Sequence, residues 1–180
     1  KVFAIIMAAA MMLACLAGCG NDAPASSKAV IKIGGIGPLT GGAAVYGTAV
    51  QAGMEIAVEE INAKGGLQFA LNCQDDEHDT EKAANAYNAL KDWGMQVMAG
   101  PVTTAPSNVV AAECANDEIF MLTPSASGAS VIEYGDNIFQ ICFTDPNQGT
   151  ASADYMSQKS LGTTIGVIYD SSDVYSSGIY

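Results

Sequence analysis

Short runs of β-favouring residues alternate with longer helical stretches from Ala29 to the end of the 180-residue chain. This alternation constrains the fold more than any other feature, because strands joined by crossover helices form a parallel sheet with helices on both faces. The predicted strands are 30–36, 69–74, 95–99, 119–123, 138–143 and 164–169. The predicted helices are 45–64, 80–93, 105–116, 148–159 and a last one from Tyr175 onward. The sequence therefore predicts an α/β fold.

The first two predicted helices each have one apolar face. In the first helix the apolar residues recur at three- and four-residue steps, at Val50, Met54, Ala57, Val58 and Ile61. In the second they are Ala83, Ala86, Tyr87 and Leu90. Gly65 and Gly66 end the first helix, and Thr80 is the predicted N-cap of the second. Both helices are expected to pack their apolar faces on the sheet.

The charged residues exclude one class of partner. The chain has 19 acidic residues against 7 basic ones, all of them Lys, and a net charge of -12. Nucleic-acid binding needs clustered cations that displace counterions from phosphates, so a nucleic-acid partner is excluded. The lack of Arg also argues against tight recognition of a phosphate or a dinucleotide.

A glycine-rich turn, residues 34–42, follows the first predicted strand. A dinucleotide-binding loop needs a glycine where Thr40 stands, and Pro38 lacks an amide that a phosphate would use. We interpret the segment as a wide turn, with its amides and the Thr40 hydroxyl bordering a crevice at the carboxyl end of the sheet.

The acidic run 75–79 contains His78, the one histidine of the chain, but no second imidazole or distant carboxylate at a metal-ligand spacing. A solvated loop between a strand and a helix is the favoured interpretation over a metal site, and no metal or cofactor is expected. Cys73, Cys114 and Cys142 lie in apolar stretches and are expected to be small buried thiols, with one disulfide left possible.

Two hydroxyl-rich loops follow neighbouring predicted strands, at 100–107 and 123–130. Helix N-termini with free amides and hydroxyls can hold a carboxylate without a cation, which suits a chain without Arg. Ordinary caps and turns are the alternative interpretation of each loop alone. Because both loops follow strands of one parallel sheet, they are expected to converge on a ligand site.

The first residues have the pattern of an export signal, with Lys1, an apolar stretch and then small residues. Residues 1–18 are therefore predicted to be a signal peptide, and 19–28 a flexible tether. Leu16-Ala17-Gly18-Cys19 resembles the bacterial lipobox, in which the Cys carries the lipid. The alternative is a plain signal peptide with an incidental Cys.

The chain as a whole resembles the type I solute-binding proteins of the branched-chain amino-acid class, the lipid-anchored receptors of ABC importers. The resemblance rests on six stretches in family order, which include Gly100-Pro101-Val102-Thr103-Thr104. They are 33–41 with 46–47, 61–66, 100–104, 122–127, 143–149, and 167–170 with 175–178. It implies two Rossmann-like lobes that close on a ligand in a hinged cleft.

The resemblance also implies the ligand-binding residues. Thr104 matches a hydroxyl residue that binds the ligand carboxylate, and Ser127 matches a hydroxyl that contacts either the carboxylate or the ammonium group. Ser125 matches a backbone carbonyl contact to the ammonium, while Tyr46 and Tyr175 match aromatic walls of the cleft. The chain carries an extra residue near Tyr175 relative to the family pattern. One family member has a disulfide near the second strand, and His78 and Thr103 stand where its cysteines would be.

The same resemblance implies the domain organisation. Residues 29–143 match the first lobe, 144–149 a hinge crossing, and 150–180 the start of a second lobe, so the chain is expected to be the N-terminal part of a longer binder. The expected protein is a monomer, exported, lipid-anchored and partnered with permease subunits. A sensor domain of the same fold is the alternative, and an exported enzyme is disfavoured because no set of nucleophile, base and orienting residue is present.

Overall fold

Five parallel strands form one sheet in the computed structural model, which describes residues 29–180. The strands are β1 (Val30–Gly37), β2 (Gln68–Asp75), β3 (Val97–Ala99), β4 (Phe120–Thr123) and β5 (Ile138–Gln140). They are ordered β2-β1-β3-β4-β5. β2 is therefore added on one side of β1 and the later strands on the other, so the direction of winding reverses at β1. Ligands bind open α/β sheets in the crevice at such a reversal. The predicted signal peptide, Cys19 and the tether lie outside the described residues.

The helices of residues 29–180 are α1 (Ala44–Ala63), α2 (Thr80–Trp93), α3 (Thr104–Asn116), α4 (Asp145–Gln158) and α5 (Val174–Ile179), with a 3-10 helix at Ala129–Glu133 that the sequence did not predict. The sheet is covered by α1 on one face and by α2 and α3 on the other, whereas α5 packs on α3 and α4. Neighbouring residues of β1 face opposite sides: a side chain at Gly34 would contact Leu90 of α2, and one at Gly35 would contact Met54 of α1. The predicted α/β fold is confirmed.

The core lies between the sheet and the face made by α2 and α3. Its fully buried members come from both layers and include Ile36, Tyr87, Leu90, Met98, Val110, Cys114 and Met121. All four predicted apolar residues of α2 are buried. Burial of side chains of this size stabilises the fold by roughly 1.5–3 kcal/mol each. The core therefore holds β1, β3 and β4 rigidly, and the loops at their carboxyl ends start from fixed points.

Polar contacts define both ends of α2. The Asp79 side chain accepts a hydrogen bond from the Lys82 amide at 2.9 Å, so the N-cap is Asp79 and the prediction of Thr80 is wrong by one residue. Gly94 ends the helix with a left-handed φ of 87°, a conformation that favours glycine. The Tyr87 hydroxyl donates to Asp117 at 2.7 Å and thereby joins α2 to the end of α3.

Three predicted elements differ most from the structure in extent. The predicted strand 164–169 forms no strand and is exposed, because no neighbouring strand pairs with it among the described residues. β5 ends at Gln140 rather than at 143, since its partner β4 ends at Thr123. α4 begins at Asp145, so most of the predicted hinge crossing, 144–149, lies in its first turns.

The opposite sheet face is covered by α1 over β1 and β2 only. On this face β4 and β5 present Phe120 and Phe139, whose ring centroids are 5.3 Å apart in a stacked arrangement. The two residues remain 42% and 47% exposed. Within residues 29–180, none of the helices is both long and apolar enough to cross a membrane.

Candidate functional site

The loops after β3 and β4 and the starts of α1, α4 and α5 enclose a crevice of about 400 Å³ at the carboxyl end of the sheet. All five predicted ligand-binding residues line it: Tyr46, Thr104, Ser125, Ser127 and Tyr175. The expected convergence of the two hydroxyl-rich loops therefore occurs. Whether these residues bind a ligand remains a prediction.

Buried hydroxyls hold the two loops against each other. The Thr123 hydroxyl donates to the Pro101 carbonyl at 2.6 Å and accepts from the Ala126 amide at 3.1 Å. The Ser107 hydroxyl donates to the same Pro101 carbonyl at 3.0 Å. These bonds tie the loop after β4 to the loop after β3, so their crevice-facing residues have a fixed separation.

Thr104 is the first residue of α3 and is 98% buried beneath the loop after β4. Its hydroxyl oxygen accepts a hydrogen bond from the Gly128 amide at 3.4 Å, and its methyl group packs on Gly128. The hydroxyl hydrogen has no acceptor among the described residues. Thr103, the N-cap, makes no capping bond with its side chain, which leaves the first amides of α3 without a side-chain acceptor. This corner of the crevice therefore offers hydrogen-bond donors.

Ser127 offers the crevice a hydrogen-bond acceptor, whereas Thr104 offers it a donor. Its hydroxyl donates to Oδ1 of Asp145 at 2.5 Å, and its backbone carbonyl accepts from the Asp145 amide at 3.0 Å. A serine hydroxyl has one hydrogen, so the oxygen can only accept from a ligand while this bond persists. Ser125, two residues earlier, is exposed at the mouth of the crevice.

The Asp75 side chain fixes the glycine-rich turn after β1 by hydrogen bonds. The carboxylate accepts from the Leu39 amide at 2.7 Å and from the Thr40 hydroxyl at 2.6 Å. Burial raises the pKa of the Asp75 carboxyl, whereas the hydrogen bonds from Thr40, Glu77 and Leu39 lower it. The hydrogen bonds together have the larger effect, so the pKa of Asp75 lies below its usual value. The prediction that Thr40 borders the crevice is therefore wrong, since its hydroxyl points to Asp75 and Tyr46 lines the crevice instead.

The acidic loop forms the predicted connection between β2 and α2, and His78 also reaches the crevice. A hydrogen bond of 2.9 Å joins His78 Nδ1 to the Thr103 hydroxyl. Burial raises the pKa of the neighbouring Asp76 carboxyl to about 6, although a bond from the His78 amide opposes this shift. Among the described residues, no group of three potential ligands is arranged to hold a metal ion.

The far wall of the crevice is formed by α4 and α5. Gln148 donates to the Tyr175 hydroxyl at 3.5 Å, and Phe143 adds an apolar surface beside them. Tyr46 stands on the near wall, at the start of α1, and is 60% exposed. The crevice thus has aromatic walls and a polar floor, the usual composition of a small-molecule site.

The three described cysteines are free. Burial raises the pKa of the Cys73 thiol to about 11 and that of Cys114 to about 12, so both are unreactive thiols. Cys114 is fully buried as predicted, whereas Cys73 and Cys142 are half-buried. Cys142 lines the crevice and donates to the Ala126 carbonyl at 3.1 Å.

A second depression, of about 660 Å³, lies along the outer side of α4. It is shallow, and its lining comes from α4 and Phe143 alone. We assign the candidate site to the crevice because polar groups from several elements converge there.

Sequence reasoning missed several residues of this crevice. The additional lining residues include Ala43, His78, Val102, Pro124, Phe143, Gln148 and Asp173. Sequence reasoning also gave no role to Asp145, which does not line the crevice but accepts a hydrogen bond from the Ser127 hydroxyl. His78 had a usable signal, because it follows β2 directly and β2 lies beside β1 at the same sheet edge. Gln148 and Asp173 had none, since their placement depends on how α4 and α5 pack.

Comparisons with known proteins agree with this architecture. The model of the family "Periplasmic binding protein" matches residues 30–179. A Leu/Ile/Val-binding protein homolog from Brucella melitensis is 33% identical over 149 residues, which are 81% of this chain and 40% of that protein.

Two solved structures are also similar. A branched-chain amino acid transporter substrate-binding protein from Streptococcus pneumoniae, in complex with isoleucine, is 30% identical with a TM-score of 0.79, over 84% of this chain and 44% of that one. A solute-binding protein from R. palustris in complex with benzoate is 26% identical with a TM-score of 0.67, over 73% of this chain and 38% of that one. The chain spans less than half the length of these relatives, and it belongs to the periplasmic binding protein family.

Proposed function

We propose that the protein is an extracytoplasmic solute-binding receptor of an ABC importer, and that its ligand is a small zwitterion of the branched-chain amino-acid class. The observation that carries the proposal is the convergence of Tyr46, Thr104, Ser125, Ser127 and Tyr175 on one crevice. The relatives described above, one of which holds isoleucine, support it.

The crevice has the chemistry to hold both charges of an amino acid. The Thr104 hydroxyl and the first amides of α3 donate to a carboxylate, in a site lined by no Lys. The Ser127 oxygen and the Ser125 carbonyl accept from an ammonium group. Val102 and Phe143 offer apolar surface to an aliphatic side chain. In the proposed function the site binds its ligand and releases it unchanged, as the solute-binding relatives described above suggest.

In the proposed organisation, residues 29–143 form the first lobe, 144–149 the crossing and 150–180 the start of the second lobe. Tyr46 and Thr104 then bind from the first lobe and Tyr175 from the second, so closure of the cleft excludes water around the ligand. Excluding water strengthens hydrogen bonds to the ligand charges. The closed monomer delivers the ligand to permease subunits in the membrane.

An aromatic carboxylate is the second candidate ligand. The crevice has three aromatic wall residues, Tyr46, Phe143 and Tyr175, and a 26% identical relative holds benzoate. The Thr104 corner would serve the carboxylate of either ligand class.

Calorimetric titration of the full-length protein distinguishes the two candidates. We expect leucine, isoleucine or valine to bind with a dissociation constant at or below about 1 μM, equivalent to roughly -8 kcal/mol, and benzoate to bind at least tenfold more weakly. Preferred binding of benzoate would assign the aromatic class, and no heat from any of the four ligands would contradict the proposed function.

We also propose that Cys19 carries the lipid that anchors the protein outside the cytoplasmic membrane. Two acyl chains give stable attachment where one gives only marginal binding. The variant Cys19→Ser is expected to leave the membrane fraction or to remain unprocessed, as measured by detergent partitioning and N-terminal mass. A Ser variant that is processed and still partitions into detergent would contradict the anchor.

A further inference from the structure

Asp145 is a buried carboxylate next to the crevice, and the proposed ligand contacts do not include it. It is the first residue of α4, its side chain is 99% buried, and it does not line the crevice. Its contacts link α4 to the loop after β4 at Ser127.

The two bonds between Asp145 and Ser127 fix the direction of a hydroxyl. Oδ1 of Asp145 accepts the Ser127 hydroxyl hydrogen at 2.5 Å, and the Asp145 amide donates to the Ser127 carbonyl at 3.0 Å. A carboxylate only accepts, so the Ser127 hydrogen points to Asp145 and the oxygen lone pairs remain for the crevice. Hydrogen bonds to a charged acceptor are about twice as strong as those between neutral groups, which makes this direction persistent.

The second oxygen of Asp145 makes no polar contact among the described residues that would account for burying this carboxylate. Oδ2 is buried and has no hydrogen-bond partner within residues 29–180. It lies under α5, where a side chain at Gly178 would come within 2.8 Å of it. Leaving a buried polar atom unpaired costs stability, and such groups require an explanation. The N-terminus of α4 offsets part of this cost, because a helix dipole favours negative charge there.

We propose that Asp145 is a positioning residue that makes Ser127 an acceptor for the ammonium group of the ligand and thereby selects a zwitterion over a plain carboxylate. The proposal rests on the proposed function and deepens it. Thr104 has its hydroxyl hydrogen available and Ser127 does not, so the crevice is polarised from a donor corner to an acceptor corner. A carboxylate without an ammonium group meets unpaired lone pairs at Ser127, backed by a negative charge, and is disfavoured.

The test compares leucine with 4-methylpentanoate, which is leucine without its ammonium group, in the full-length wild-type protein and in Asp145→Asn. An Asn side chain keeps the shape, removes the charge, and has an amide group that can donate to Ser127 and reverse its hydroxyl. We expect leucine affinity to fall by about tenfold or more while 4-methylpentanoate affinity is unchanged or rises. The ratio of the two affinities measures positioning, because a general loss of stability lowers both.

Two further variants complete the design. Asp154→Asn removes a charge from the exposed side of the same helix and is expected to leave the ratio unchanged. Ser127→Ala removes the acceptor itself and should shift the ratio as Asp145→Asn does, with no further shift in the double variant. A proportionate loss for both ligands in Asp145→Asn, or an unchanged ratio in Ser127→Ala, would overturn the positioning role alone. A wild-type protein that binds neither ligand would overturn the positioning role, and one that also fails to bind isoleucine, valine and benzoate would overturn the proposed function as well.

Discussion

Replacing Thr104 by valine is expected to weaken leucine binding by about 10- to 150-fold while leaving the fold intact. The change removes the hydroxyl that faces the donor corner of the crevice, and a hydrogen bond to a charged group contributes roughly 1.5 to 3 kcal/mol. Valine keeps the methyl group that packs on Gly128, so the buried start of α3 retains its shape. Isothermal titration of the full-length protein measures the affinity, and thermal unfolding checks the fold.

Thr104→Ser is the matched control, because it keeps the hydroxyl and loses the methyl group. We expect its affinity to stay within a few-fold of wild type, even though a small cavity under Gly128 lowers its stability. Equal losses of affinity in the serine and valine variants would show that packing, rather than the hydroxyl, matters at this position. An unchanged affinity in the valine variant would remove Thr104 from the carboxylate site.

The second large effect is a loss of folding stability, expected from a substitution at Gly47 in the first turn of α1. A Cβ atom there would overlap the backbone carbonyl of Pro38, which cannot move aside as a flexible side chain can. The variant Gly47→Ala must therefore shift α1 away from the turn after β1, at a cost of about 3 kcal/mol. Because small domains are stable by only about 5–15 kcal/mol, urea unfolding should show a markedly lower midpoint.

Gly53 provides the control within the same helix. A Cβ at Gly53 meets no atom within 4 Å, so Gly53→Ala adds helix propensity without a clash. We expect a gain of about 0.5–1 kcal/mol in the free energy of unfolding. If Gly47→Ala were as stable as Gly53→Ala, the close approach of α1 to Pro38 would be wrong.

The fold was largely predictable because its helices and strands follow local rules. α2 was predicted with its observed bounds, and the four apolar residues that define its face are all buried. The failures arise where pairing between distant segments decides the outcome. Residues 164–169 have the composition of a strand, but a strand forms only when a neighbour supplies hydrogen bonds. β5 is shortened for the same reason, since β4 ends first.

The candidate site was predictable only in part. Parallel strands bring their carboxyl ends to one edge, so the loops at Thr104 and Ser127 could be placed together without coordinates. The direction of each hydroxyl could not be predicted, because it depends on a third residue such as Asp145, 18 positions from Ser127. Thr40 shows the same limit: its hydroxyl has an internal acceptor in Asp75, which no local pattern revealed.

The crevice is built from loops and the first turns of helices, whereas the core is built from Met98, Met121 and the buried faces of α2 and α3. Because largely different residues form the crevice and the core, the two can change independently as sequences diverge. A substitution at an exposed position such as Tyr46 alters the lining of the crevice without opening a cavity in the core. Mutations at exposed positions of the crevice lining therefore carry a small folding cost, so the lining can vary before selection penalises instability. The two solved relatives, one in complex with isoleucine and one in complex with benzoate, are the outcome expected of that freedom.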